Sequence, residues 1–101
     1  RCTGTEPFWG IEARGDEVVF SSPDKGERAM ALRSVMHNDV PGSPLRGMIA
    51  GDDTGRMTAV IQPAQCSDGM SDRVYGLSAA LVFDGAGQRS QMLSGCCRIT
   101  P

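Results

Sequence analysis

The stretch that decides the fold runs from Cys66 to Phe83: Cys66-Ser67-Asp68-Gly69-Met70-Ser71-Asp72-Arg73-Val74-Tyr75-Gly76-Leu77-Ser78-Ala79-Ala80-Leu81-Val82-Phe83. Its first half is turn chemistry. A cysteine leads in, and Asp68-Gly69 makes a tight reversal. Its second half, Arg73 to Phe83, is the longest strand-like segment of the chain. Tyr75, Leu77, Ala79, Leu81 and Phe83 recur at every second position. Successive side chains of a strand point to opposite faces, so this stripe predicts a strand with one face on a core.

Downstream, Asp84-Gly85-Ala86-Gly87 is a glycine-rich hairpin loop. It leads to a last strand, Gln88 to Ile99, which carries Leu93, Gly95, Cys96 and Cys97. Upstream, Arg56 to Gln62 alternates with Met57, Ala59 and Ile61 facing in, and Pro63 is expected to end that run. Gly51 to Gly55 turns it back onto a short strand, Leu45 to Ala50. Asn38 to Ser43 is a loop. Arg28 to His37 places Met30, Leu32, Ser34 and Met36 on one face. Glu27 to Met36 also holds good helix formers, so a short helix is the alternative there. Glu17 to Ser22 is a strand with Val18 and Phe20 inward, reversed at Pro23-Asp24-Lys25-Gly26. Glu6 to Ala13 is a strand with Trp9, Ile11 and Ala13 inward, and Pro7 suits its start. Arg14-Gly15-Asp16 spells an adhesion tripeptide but reads as the hairpin turn between the two. About seven to eight strands joined by short turns demand antiparallel neighbours. The expected fold is all-β: a small antiparallel meander closing into a barrel, or a sandwich. Closure into a barrel removes exposed strand edges.

A chain of 101 residues is one domain, residues 1–101. At that size, staples add usefully to a modest core. Net charge is −2, and the ten Lys and Arg residues are scattered. There is no basic patch for nucleic acid. No apolar run reaches membrane-spanning length. The six methionines with His37 raise Cu(I) binding as an option, but adaptable core filling accounts for them. No cofactor is expected. His37 is the only histidine and has no surrounding catalytic motif, which argues against Ser–His–Asp chemistry. The acidic residues cluster in turns, where solvation explains them. The expectation is a protein that is not an enzyme.

Four cysteines at irregular spacing fit a disulfide framework better than a zinc site. Disulfides imply an oxidising compartment: periplasm, cell surface or secretion. Arg1 before Cys2 is unlike a lipoprotein cleavage site, so Cys2 is read as a disulfide partner. A Cys96–Cys97 bridge would be a strained small ring and is set aside. Adjacent strand residues face opposite ways, so Cys96 and Cys97 reach different partners. Cys66–Cys96 with Cys2–Cys97 is the favoured pairing, and the crossed pairing stays open. The Cys66–Cys96 loop of about 30 residues would contribute on the order of 3–4 kcal/mol in a chain-entropy picture.

Two segments together carry a family resemblance: Gly4-Thr5-Glu6-Pro7-Phe8-Trp9, and Cys66 to Tyr75 with Gly95-Cys96. The chain resembles an uncharacterised bacterial envelope family of lipoproteins and membrane proteins. Its members combine an EPFW strand, a C-x-DGMSD-x-x-Y turn and a C-terminal GC. Some members occur beside domains similar to the META domain or to the inhibitor of C-type lysozyme. The resemblance implies an exported β-domain, periplasmic or otherwise extracytoplasmic, with membrane anchoring in a longer precursor as a further expectation. Cys2 and Cys97 depart from the commonest pattern of the family. The resemblance implies no established activity, and the expected function is a non-catalytic binding module whose partner is an envelope protein or a small ligand, with a monomer expected. The alternatives are an inhibitor of a wall-cleaving enzyme such as lysozyme, acting through an exposed loop at Asn38–Ser43 or Ser67–Asp72, and a purely structural envelope domain.

Within the two motifs, Glu6, Trp9, Asp68, Asp72, Arg73 and Tyr75 are the candidate ligand-binding residues. A carboxylate beside an aromatic platform and an acidic–basic–aromatic cluster could share one barrel rim. The competing assignment makes Trp9 core and gives Asp68, Ser71 and Asp72 to turn hydrogen bonds and pairing.

Overall fold

The stripe ending at Phe83 is a strand in the computed structural model, which describes residues 2–5, 8–24, 26–67, 74–85 and 87–98. Eight strands occur in chain order: β1 (Cys2–Thr5), β2 (Phe8–Arg14), β3 (Glu17–Ser22), β4 (Gly26–His37), β5 (Arg46–Asp52), β6 (Gly55–Ser67), β7 (Val74–Asp84) and β8 (Gln91–Cys97). Each pairs antiparallel with the next, and β1 pairs with β8, closing a barrel. The barrel alternative therefore holds and the sandwich does not. Arg28 to His37 is strand throughout, so the helix alternative is also excluded. Its helix formers are overridden by pairing along both edges, with β3 and with β5.

The inward stripes fill the interior, as expected for a barrel of this strand number. Met30, Met57, Leu81 and Val18 are the largest fully buried side chains. Ala50, Ala59, Ala79 and Leu93 pack with them. Met30 and Met57 are thus interior filler, and Met48 packs partly buried against the core. Met36 and Met92 are exposed, and so is His37.

Three local expectations are corrected. Ala13, predicted inward, is exposed, although its ladder partner Val18 is fully buried. Met36, placed on the same face as Met30, lies on the opposite one, outside. The β4–β5 register shifts between Leu32 and Ser34. That bulge inverts the alternation beyond it, and Met36 ends over Gly47 on the outer surface. Pro63 does not end its strand. β6 continues to Ser67 with a second irregularity between Pro63 and Cys66. The ladder tolerates the missing proline N–H by bulging.

The seam between β1 and β8 is short: Cys2 pairs with Cys97 and Thr3 with Cys96. The disulfide Cys2–Cys97 joins that first register pair directly, and Cys66–Cys96 ties β6 to β8. The favoured pairing is the one observed, and the crossed one is not. Trp9 sits against the same seam. A Cβ on Gly4 would overlap the Trp9 indole nitrogen, and one on Gly95 would overlap the Thr3 carbonyl oxygen and lie 2.7 Å from Trp9 Cζ2. Two glycines, one on each closing strand, thus make the slot that holds the indole.

Candidate functional site

In an antiparallel meander the connections alternate between the two ends of the barrel. The β3–β4, β5–β6 and β7–β8 connections therefore share one end. The β4–β5 connection and the end of β6 belong to the other.

At the first end the inward phase of two strands turns from apolar to polar. Arg28 pairs across the ladder with Phe20, on the same face of β4 as Met30 and Leu32. Asp52 follows Ala50 on the inward face of β5. The two meet in a bidentate ion pair: Arg28 Nε donates to Asp52 Oδ2 at 2.6 Å and Nη2 to Oδ1 at 2.7 Å. Such a pair has both charge and geometry in its favour. Arg28 Nη1 donates to Gln88 Oε1 at 2.6 Å, and Nη2 to Thr54 Oγ1 at 2.8 Å. Gln88 in turn donates to the carbonyls of Asp84 and Arg56. Asp52 Oδ1 also accepts from the Thr54 hydroxyl and from the N–H groups of Thr54 and Gly55. One guanidinium thus links β4, the β5–β6 turn and the β7–β8 loop into a polar clasp over the core. A second pair, Arg56 with Asp84, lies outside it at 2.8 Å.

The electrostatics follow from the clasp. The Arg28 hydrogen bond holds the Asp52 carboxyl far below the ordinary carboxylate range, against the desolvation that opposes it, and Thr54 adds to the lowering. The same hydrogen bond raises Arg28. Exposed Asp84 is lowered for the same reason by Arg56. Because the folded pKa of Asp52 lies below its unfolded value, the unfolded chain binds more protons in acid. The stability contributed by the pair is complete above about pH 4, the ordinary aspartate pKa, and is lost as pH falls below it. Asp52→Asn is expected to cost about 2 kcal/mol at pH 6, since it leaves a half-buried guanidinium without its counter-charge. The same variant should lose less than the wild type between pH 4 and pH 2. Thermal melts across that range test this, and parallel curves for the two proteins would refute it.

Beside the clasp lies a cavity of about 510 Å³. The rings of Phe20 and Phe83 line it, edge to face with centroids 5.0 Å apart. Arg28 and Gln88 form one wall, and Asp24, Arg89 and Gln91 stand at its rim. Trp9 stacks on Phe20 from the core side, with centroids 6.4 Å apart. Its volume falls within the range of small-molecule sites, about 300–1,000 Å³. A shallower cleft of about 310 Å³ lies over the outer side of the clasp, between Arg33, Asp53 and Gly87.

The motif residues fare differently. Trp9 is buried at 5% exposure and does not line the cavity, although Phe20 against it does. Tyr75 pairs with Cys66 near the start of β7, at the end of the barrel away from the start of β2. Trp9 and Tyr75 are therefore not brought to one rim. Glu6, Asp68, Asp72 and Arg73 lie outside the described residues. Among the described residues, no group of three or more His, Cys, Asp or Glu is placed to hold a metal ion. Arg28, Asp52, Gln88 and Arg89 were not singled out from sequence, and Phe20 was read only as an inward core residue. The available signal was a charge in the inward phase: Arg28 shares its face with Met30 and Leu32, as Asp52 shares its face with Ala50. A charge on that face has to find a partner.

Comparisons with known proteins return no match: no family model, no curated protein and no solved structure is similar to this chain.

Proposed function

We propose that this chain is a non-catalytic binding module of the bacterial cell envelope that takes a small ligand in the clasped mouth of its barrel. The carrying observation is the cavity of about 510 Å³, with two phenylalanine rings within and a polar rim. The lining is about as polar as it is apolar, and convergent polar groups beside an aromatic surface fix the orientation of a bound small molecule. Among the described residues the lining holds Phe, Gly, Gln, Arg and a single carboxylate, and no nucleophile–base pair, which favours binding over chemistry. Both cysteine pairs are cross-linked, in keeping with an oxidising compartment, and the envelope-family resemblance points the same way. A purely structural domain predicts a filled barrel without such an opening.

Trp9 is the only tryptophan of the chain and stacks on a ring of the cavity. Its emission is therefore an intrinsic reporter. A panel of small polar–aromatic compounds titrated into the protein is expected to include at least one giving a saturable emission change, weakened by Gln91→Ala at the rim. A panel without any such response would reject the mouth as a ligand site.

Inhibition of a wall-cleaving enzyme has one observation in its favour. The loop after β4 is exposed at Asp39, Val40, Pro41 and Gly42, with Val40 60% accessible. It is held in shape by Asn38 Nδ2 donating to Ser43 Oγ at 3.0 Å and Ser43 N donating to the Val40 carbonyl at 3.1 Å. A preorganised loop loses little entropy on entering a cleft. A lysozyme assay with excess protein is expected to show activity falling in proportion to added protein, and Val40→Asp should abolish the effect. Unchanged activity would remove this alternative.

A further inference from the structure

Resting on the proposed binding role of the mouth, we infer that its ligand is a small zwitterion with an apolar or aromatic body, of amino-acid to dipeptide size. Arg28 is already committed to Asp52, Thr54 and Gln88. The Gln88 side chain is likewise committed, through its oxygen to Arg28 and through its nitrogen to two carbonyls. That wall is fixed and close to neutral, because its one guanidinium faces its one carboxylate. Three rim groups differ from it. Arg89, Asp24 and Gln91 line the same cavity, and among the described residues none of them has a hydrogen-bond or ion-pair partner.

Among the described residues the mouth therefore offers one uncommitted cation, one uncommitted anion and one uncommitted amide beside two aromatic rings. A guanidinium binds a carboxylate in a two-point fork. An aspartate at the rim complements an ammonium group. The half-buried ring of Phe20, backed by the buried ring of Phe83, accepts an apolar or aromatic body by offset or edge contacts. A purely anionic ligand would leave its carboxylate facing Asp24 as well as Arg89. A purely cationic one would meet Arg89 as well as Asp24. Only a molecule carrying both charges uses both groups, and like-charge juxtaposition selects against the others. Arg89 and Asp24 lie on different connections, β7–β8 and β3–β4, so the two charges of the ligand would span the opening.

The test uses the intact, disulfide-bonded protein and four defined probes: phenylalanine, its N-acetyl derivative, its amide, and the dipeptide Phe-Phe. Binding is read by Trp9 emission and by amide NMR shifts at Phe20, Phe83 and Gln91. Phenylalanine or Phe-Phe should bind, the tighter of the two fixing the ligand size. Removing either charge from the probe should weaken binding about ten- to hundredfold, the range for a lost charge-assisted contact. Arg89→Ala should erase the difference between phenylalanine and its amide. Asp24→Asn should erase the difference between phenylalanine and its N-acetyl form. Both changes are at exposed positions, and unchanged melting would confirm that the fold persists. Equal binding of charged and blocked probes, or discrimination surviving both variants, overturns the zwitterion while leaving the mouth as a binding site. No response to these probes or to the broader panel overturns both.

Discussion

Reduction of the two disulfides is expected to unfold this barrel at 25 °C without added denaturant. The Cys2–Cys97 bridge closes a ring with a sequence separation of 95, and Cys66–Cys96 one of 30. In the chain-entropy picture the first is worth about 4.7 kcal/mol and the second about 3.6 kcal/mol. Their sum, on the order of 8 kcal/mol, rivals the whole stability of an ordinary domain, about 5–15 kcal/mol. The location matters as much as the size. The β1–β8 ladder has only two register pairs, and Cys2–Cys97 is one of them. Without the bond, β1 must hold the seam through little more than its pairing with β2. Far-UV circular dichroism and Trp9 emission, before and after reduction and alkylation, give the measurement. A reduced, alkylated protein that melts where the oxidised one does would contradict this account. Cys2→Ser with Cys97→Ser should cost more than Cys66→Ser with Cys96→Ser.

The second large effect is expected at the indole slot. Trp9→Ala should cost about 3–5 kcal/mol, the usual range for emptying a large aromatic site in a core. Gly95→Ala should also be severe. Its new methyl meets the Thr3 backbone carbonyl, which cannot move without breaking the seam, and the Trp9 ring at 2.7 Å. Overpacking of this kind costs about 1–3 kcal/mol when side chains alone adjust, and backbone must adjust here. The two changes share one space, so they should couple. Trp9→Leu with Gly95→Ala is expected to be less destabilised than the sum of its single variants. Urea titrations of the four proteins test this. Strict additivity would show that the glycine is retained for some reason other than the ring.

That slot explains part of what the motifs mean. Gly4 and Trp9 belong to the N-terminal motif, and Gly95 with Cys96 to the C-terminal one. In the fold these belong to one packing unit at the seam, so this part of the two motifs is architecture. The same unit shows why β1 was not legible. Cys2-Thr3-Gly4-Thr5 has no apolar alternation, because the inward space at Gly4 is filled by the ring of Trp9 from the neighbouring strand. By contrast, the stripe ending at Phe83 needed no outside help: each inward residue supplies its own share of core. The outward position of Met36 and the continuation past Pro63 depend on bulges, which are settled between strands and leave little trace within one. The clasp was hidden for a related reason. Arg28 and Asp52 lie 24 positions apart, and only the closed sheet shows that their inward phases meet. Phe20 and Phe83 were legible as core stripes, but their second role beside a cavity was not.

The cross-link at the seam also changes what a protease can achieve. Between Cys2 and Cys97 the chain is a covalent circle, so one cut in any surface turn opens the circle but liberates no piece. Both halves of a nicked molecule stay tethered through sulfur, and the cut ends remain close enough for the sheet to reassemble. Tolerance of a single scission, and of new termini placed at such a turn, is built into the way this molecule closes.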